Sequence, residues 1–130
     1  MSPEFSNIHV LLVENDEIAI FVMEKILKPH YRLTVARNGI EAIHLAHKQN
    51  FDVILMDIEL GHSMDGSEVL EAMKQNGMPD ETLVYAITGL GIPEDEEYFL
   101  SLGFDRFFHK PIDHRQMAEI IRQDCYVKTL

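Results

Sequence analysis

Three unbroken apolar runs constrain this chain most: Val10-Leu11-Leu12-Val13, Val53-Ile54-Leu55-Met56 and Leu83-Val84-Tyr85-Ala86-Ile87. A short apolar run without alternation reads as a strand buried on both faces, the pattern of a parallel sheet covered by helices. Each run stops at a polar group. The first meets Glu14-Asn15-Asp16, the second Asp57, and the third Thr88-Gly89. In an open parallel sheet, ligands bind in the crevice outside the carboxyl ends of the strands. Acid, acid and hydroxyl are therefore expected to converge on one rim.

Helical periodicity fills the intervals. Ile18, Phe21, Val22 and Ile26 recur at helical spacing over residues 17–28, and Pro29 stops the pattern. Residues 31–36 read as a short strand. Asn38 with Glu41 three residues on makes a capping-box start for a helix through about residue 49. A helix is expected over residues 67–76, ended by Gly77. Pro93 and the acids Glu94, Asp95, Glu96 and Glu97 suit a first helical turn, where the dipole favours negative charge, with Gly103 closing that helix. Residues 104–108 read as a fifth strand, and Asp113 with Gln116 opens a last helix. Five strands alternating with five helices imply a single-domain, doubly wound α/β sandwich, because crossovers are right-handed. The expected boundaries are residues 1–6 as a disordered or vector-derived tail, 7–125 as the domain, and 126–130 as a C-terminal tail.

Size and charge narrow the function. One core is what 130 residues can build, so no second catalytic or DNA-binding domain is expected. With 22 acids against 11 Lys and Arg, the net charge of −11 opposes contact with nucleic acid or anionic lipid and favours protein partners. A lone cysteine, Cys125, excludes an internal disulfide framework and fits a reducing compartment. No apolar stretch is long enough to span a bilayer, and the start lacks the regions of a signal peptide, so a cytoplasmic location with no membrane contact is expected.

The order of these pieces resembles the receiver domain of two-component response regulators: a strand-end acid, Met56-Asp57-Ile58 with Asp65-Gly66 downstream, a strand-end Thr88, and Lys110-Pro111. The likeness runs from about residue 7 to residue 124. It implies a flavodoxin-like (βα)5 fold with a five-stranded parallel sheet of order 2-1-3-4-5. It also implies magnesium-dependent transfer of a phosphoryl group from a histidine kinase or histidine phosphotransfer protein to an aspartate, read by a downstream protein target.

Under that resemblance Asp57 is the phosphorylated residue, a carboxylate nucleophile that forms an acyl phosphate. Magnesium takes a few hard oxygen ligands and keeps several waters, which Asp57, the Glu14-Asn15 pair and the backbone carbonyl of Glu59 would supply. Thr88 and Lys110 are the catalytic pair, a hydroxyl and a positive charge for the phosphoryl oxygens, with Gly89 keeping the entrance open. Thr88 and Phe107 form the switch, in which the new charge biases a bistable surface over residues 94–123. The resemblance further implies a cis Lys110-Pro111 bond.

The departures are specific. Asn15 stands where the family usually has a second acid, so one charge is missing, and Asp16 is a substitute only if the strand turns there. Glu59 adds a carboxylate beside Asp57. Phe107 lacks the hydroxyl of the more frequent tyrosine. Two other functions compete. A pseudo-receiver, a protein-binding module independent of phosphate, draws its support from Asn15 and is opposed by the intact Asp57, Thr88 and Lys110. A small hydrolase would want a GxxxxGK[ST] loop or an Asp-x-Asp pair after a strand, and the chain has neither. His44 and His47, at i,i+3, are expected on a solvated helix face rather than on a metal.

Overall fold

The computed structural model describes residues 7–61, 64–89 and 95–129, with side chains to residue 126. Five strands alternate with five helices: β1 (His9–Val13), α1 (Glu17–Leu27), β2 (Arg32–Ala36), α2 (Gly39–Lys48), β3 (Val53–Asp57), α3 (Gly66–Gln75), β4 (Leu83–Thr88), α4 (Asp95–Ser101), β5 (Arg106–His109) and α5 (His114–Thr129). The sheet is parallel throughout, in the order β2-β1-β3-β4-β5. Each boundary follows from local chemistry. The Asp16 side chain caps α1 by accepting the Ala19 N–H at 2.9 Å, and Asn38 caps α2 by accepting the Glu41 N–H at 2.8 Å. α3 starts on a reciprocal capping box between Asp65 and Glu68. It ends before Gly77, whose φ of +87° a side chain would strain. Asp113 accepts from the N–H groups of Arg115 and Gln116, opening α5.

Alternation along the strands sends side chains to two cores. One holds Val10, Leu12, Val53, Leu55, Tyr85 and Ile87 under α1 and α5; the other holds Leu11, Val13, Ile54, Met56, Val84 and Ala86 under α2, α3 and α4. β1 and β3 are buried at every position, as their unbroken apolar runs require. β5, on the edge, is the least buried strand.

Two expectations need correction. The C-terminal tail does not begin at residue 126, because α5 continues to Thr129. Tyr126-Val127-Lys128-Thr129 holds no glycine or proline to stop a helix whose inner face already buries Met117, Ile121 and Cys125. The fifth strand is Arg106–His109 rather than 104–108, since Phe104 packs into the core at the end of α4. The N-terminal tail and the expected Pro93-Glu94 helix start lie outside the described residues.

Candidate functional site at the carboxyl rim

Register decides where the polar strand ends meet. Val13 lies beside Met56 and Asp57 beside Ile87, so the residues following β1 and β4 flank the tip of β3. β5 continues the rim, because Thr88 pairs with His109 and the Lys110 N–H donates to the Thr88 carbonyl at 2.8 Å. The Lys110-Pro111 bond is cis, as expected.

Asp57, Glu14 and Thr88 are all buried, at 3, 5 and 2% exposure. The Lys110 amine reaches between the two acids, 3.3 Å from Asp57 Oδ2 and 3.4 Å from Glu14 Oε2. Asp57 Oδ1 accepts the Glu59 N–H at 3.0 Å, while Glu14 Oε1 accepts the N–H groups of Asn15 and Asp16, each at 3.1 Å. These bonds fix both carboxyl groups before any ligand arrives. Burial, and then the Glu14 carboxyl beside it, pushes the Asp57 carboxyl up to about 7, with Lys110 and the Glu59 N–H pulling the other way. Burial opposes the charge on Lys110, but Asp57 and Glu14 outweigh it and hold the amine above its usual value.

The remaining expected residues are placed less uniformly. The Asn15 side chain donates to the Leu60 carbonyl at 3.2 Å, tying the end of β1 to the loop after β3. Asp16, the possible substitute, is committed to capping α1. Phe107 is half-buried and stacked on Phe99 of α4, ring centroids 5.5 Å apart and planes at 20°. Gly89, expected only to keep the entrance open, also donates its N–H to Glu59 Oε1 at 2.6 Å. That contact has no signal in the sequence, since a side chain crossing between two loops leaves no periodic trace. Gly66 of the Asp-Gly pair has a steric reason: a Cβ there would come 3.0 Å from the Asp57 carbonyl and 2.9 Å from Met56 Cγ. α3 can start close beneath the rim only with glycine at that point.

The donor set suits a small, hard divalent cation. Two buried carboxyl groups crowd one another, and Glu59 Oε2 is buried with no hydrogen-bond partner among the described residues. No group of three or more His, Cys, Asp or Glu side chains able to hold an ion occurs among those residues, so a cation there would complete its shell with amide or carbonyl oxygen and water. Beside the rim, a cavity of about 290 Å³ runs from Asp57 and Glu14 between α1 and the turn after β5, lined by Ile18, Val22, Pro111 and Ile112. Ile18 and Phe21, three residues apart on α1, are 74 and 59% exposed. His44 lies exposed on α2, in a groove with Ile40, Leu60 and Met64.

Comparison with known proteins places this geometry. The sequence pattern of the response regulator receiver domain matches residues 10–122. The chain is 31% identical over 114 residues to the polar-differentiation response regulator DivK of Brucella anthropi, covering 87% of this chain and 92% of DivK. It is 30% identical over 113 residues to the probable transcriptional regulator ycf29 of Pyropia yezoensis. The chain spans about half the length of that relative, 50%, and 58% of the Porphyra purpurea ycf29. Among solved structures it is similar to the receiver domain of a Pseudomonas aeruginosa sensor histidine kinase, described with a magnesium ion coordinated in its active site cleft. That likeness has a TM-score of 0.79 at 27% identity, covering 90% of this chain and 96% of that one. A CheY-like receiver domain from Methanospirillum hungatei matches with a TM-score of 0.83 at 25% identity, over 95% of this chain and 98% of its own.

Proposed function

The chain belongs to the response regulator receiver domain family of two-component signalling, and we propose that it accepts a phosphoryl group on Asp57 and passes the change on through a protein-binding surface. The observation that carries this reading is the half-buried Lys110 amine set between the buried Glu14 and Asp57 carboxyl groups at the carboxyl rim, with an apolar cavity opening beside them. A structural ion pair would not require a second acid at this depth, where it raises the Asp57 carboxyl.

The step is a phosphoryl transfer. Asp57 Oδ attacks the phosphorus of a phosphohistidine, the P–N bond breaks, and its electron pair stays with the imidazole nitrogen, which takes up a proton. The product is an acyl phosphate on Asp57. Lys110 stands against the charge of the transferring group, and Thr88 offers a hydroxyl from the end of β4. Asp57 and Glu14, with the Asn15 amide oxygen, the Glu59 backbone carbonyl and water, are the residues that would hold magnesium. The cation supplies charge neutralisation between the acid and the incoming phosphoryl group, where most catalysis of this transfer lies. The chain's own activity is limited to this self-modification and its reversal.

The donor is a histidine kinase or histidine phosphotransfer protein. Ile18 lines the cavity beside Asp57 and is exposed, and with the exposed Phe21 three residues on along α1 it offers the donor an apolar landing. The readout is a downstream protein that senses α4, β5 and α5, where Phe107 of β5 stacks on Phe99 of α4. No described helix is long and apolar enough to cross a membrane, and we place the protein in the cytoplasm, away from nucleic acid. Phosphorylation with a small phosphodonor and magnesium, with Asp57→Asn as control, tests the reading.

A further inference from the structure

Glu59 carries a carboxylate that the phosphoacceptor reading leaves without a role. Its Oε1 crosses to the end of β4 and accepts the Gly89 N–H at 2.6 Å. Its Oε2 is buried with no hydrogen-bond partner among the described residues, an unfavourable state for a carboxylate oxygen. A Cβ placed on Gly89 would lie 3.5 Å from Glu59 Oε1 and 3.5 Å from Lys110 Cδ, so Glu59, Gly89 and Lys110 crowd one point. The Lys110 amine at the other end of that side chain is 3.3 Å from Asp57 Oδ2. An acyl phosphate on Asp57 would bring three acceptor oxygens and close to two negative charges to this side of the rim. The donors there are the Lys110 amine, the Thr88 hydroxyl and the Gly89 N–H, and the last is already taken by an anion.

We propose that the Glu59 carboxylate is a built-in stand-in for the phosphoryl group: it occupies the Gly89 N–H in the unmodified protein, and modification of Asp57 expels it. This deepens the phosphoacceptor reading and rests on it. The exchange at Gly89 is one hydrogen bond for another, from Glu59 Oε1 to a phosphoryl oxygen. Two anions cannot share this one donor, because a phosphoryl oxygen would have to take the place of Glu59 Oε1 and like charges at that separation repel. Glu59 therefore has two effects. It raises the barrier to modification, which favours energetic phosphodonors and suppresses casual ones. Once expelled, it carries its charge outward past the exposed Gly89, where a partner can read it. A structural tie between the loops after β3 and β4 would also use the Gly89 bond, but would not depend on the charge of residue 59.

Glu59→Gln separates these roles, because glutamine keeps a carbonyl acceptor for Gly89 without the charge; Glu59→Ala removes both. The wild type and both variants are compared in the full chain by two readouts: the rate of modification by acetyl phosphate with magnesium, followed by intact mass, and the Gly89 amide resonance titrated with magnesium and beryllofluoride. The expected result is modification on the order of tenfold faster in both variants. The Gly89 amide should move on beryllofluoride binding in the wild type, and half-saturation should fall in both variants. Equal rates in all three proteins, with Asp57 modified in each, would overturn this inference alone. A Gly89 resonance unmoved at saturation would do the same. Modification of none of the three would overturn the phosphoacceptor reading, and this inference with it.

Discussion

Asp57 and Glu14 lie side by side, both carboxyl groups buried at the rim, and much of what the site does follows from that crowding. Burial and Glu14 hold the Asp57 carboxyl up to about 7, above the value it has in an unfolded chain. An acid whose folded value is raised stabilises the fold fully below its unfolded value and loses that contribution as pH climbs through the folded value. The metal-free protein should therefore lose thermal stability between roughly pH 4 and about pH 7, on the neutral side of ordinary carboxylate titration. Asp57→Asn should flatten this slope in thermal unfolding measured across that range; an equal slope in both proteins would remove Asp57 as its source. Asn15 makes a second prediction at this scale. Losing one charge from a partly solvated cation site costs on the order of 1–2 kcal/mol, or roughly tenfold in affinity. Asn15→Asp should accordingly tighten magnesium binding about tenfold in a calorimetric titration. If the wild type binds as tightly as Asn15→Asp, a different oxygen holds the ion. Asp57, Glu14 and Thr88 were legible because each stands where an apolar run ends, whereas Lys110 came from the family resemblance. The Glu59 bond to Gly89 was not legible, since it joins two residues 30 positions apart that no periodic pattern links.

The elements carry the site by where they stop. α3 begins beneath the rim on the Asp65–Glu68 capping box, and Gly66 leaves the Asp57 carbonyl its space. Asp65→Ala should cost roughly 1 kcal/mol of stability with little effect on modification. Gly66→Ala, whose new methyl meets backbone at 3.0 Å, should cost about 1–3 kcal/mol and slow modification of Asp57 as the rim shifts. Denaturant unfolding and intact-mass kinetics on both variants would check the contrast; equal kinetic effects would show that α3 does not set the rim geometry. On α1, Ile18 lines the cavity beside Asp57 and Phe21 follows it three residues on, and both are exposed. Replacing both with serine should reduce transfer from a phosphohistidine protein while leaving modification by a small phosphodonor unchanged. The helix starts at Asn38 and Asp113 were readable from their side chains, while α3, expected over residues 67–76, starts one residue earlier at Gly66 on a cap not named from the sequence. The end of α5 was misread because nothing in residues 126–129 distinguishes the last turn of a helix from a short tail.

For the whole molecule, alternation of apolar runs with helical periods was enough to specify a doubly wound sheet. The strand order came from resemblance to a family, because local patterning is silent on which strands are neighbours. That order brings the carboxyl ends of β1, β3, β4 and β5 to one rim and leaves β2 at the far edge. A net charge of −11 repels phosphate-bearing donors at long range, so a single amine, Lys110, held between two acids is a focused counterweight at the point of transfer. Everything proposed for signalling depends on whether that point is chemically competent. Intact-mass analysis after incubation with magnesium and a small phosphodonor tests it most directly: the wild type should gain one phosphoryl group, and Asp57→Asn should gain none. A wild type that gains nothing at any magnesium concentration, or an Asp57→Asn protein that gains the same mass, would contradict the assignment of Asp57 as phosphoacceptor.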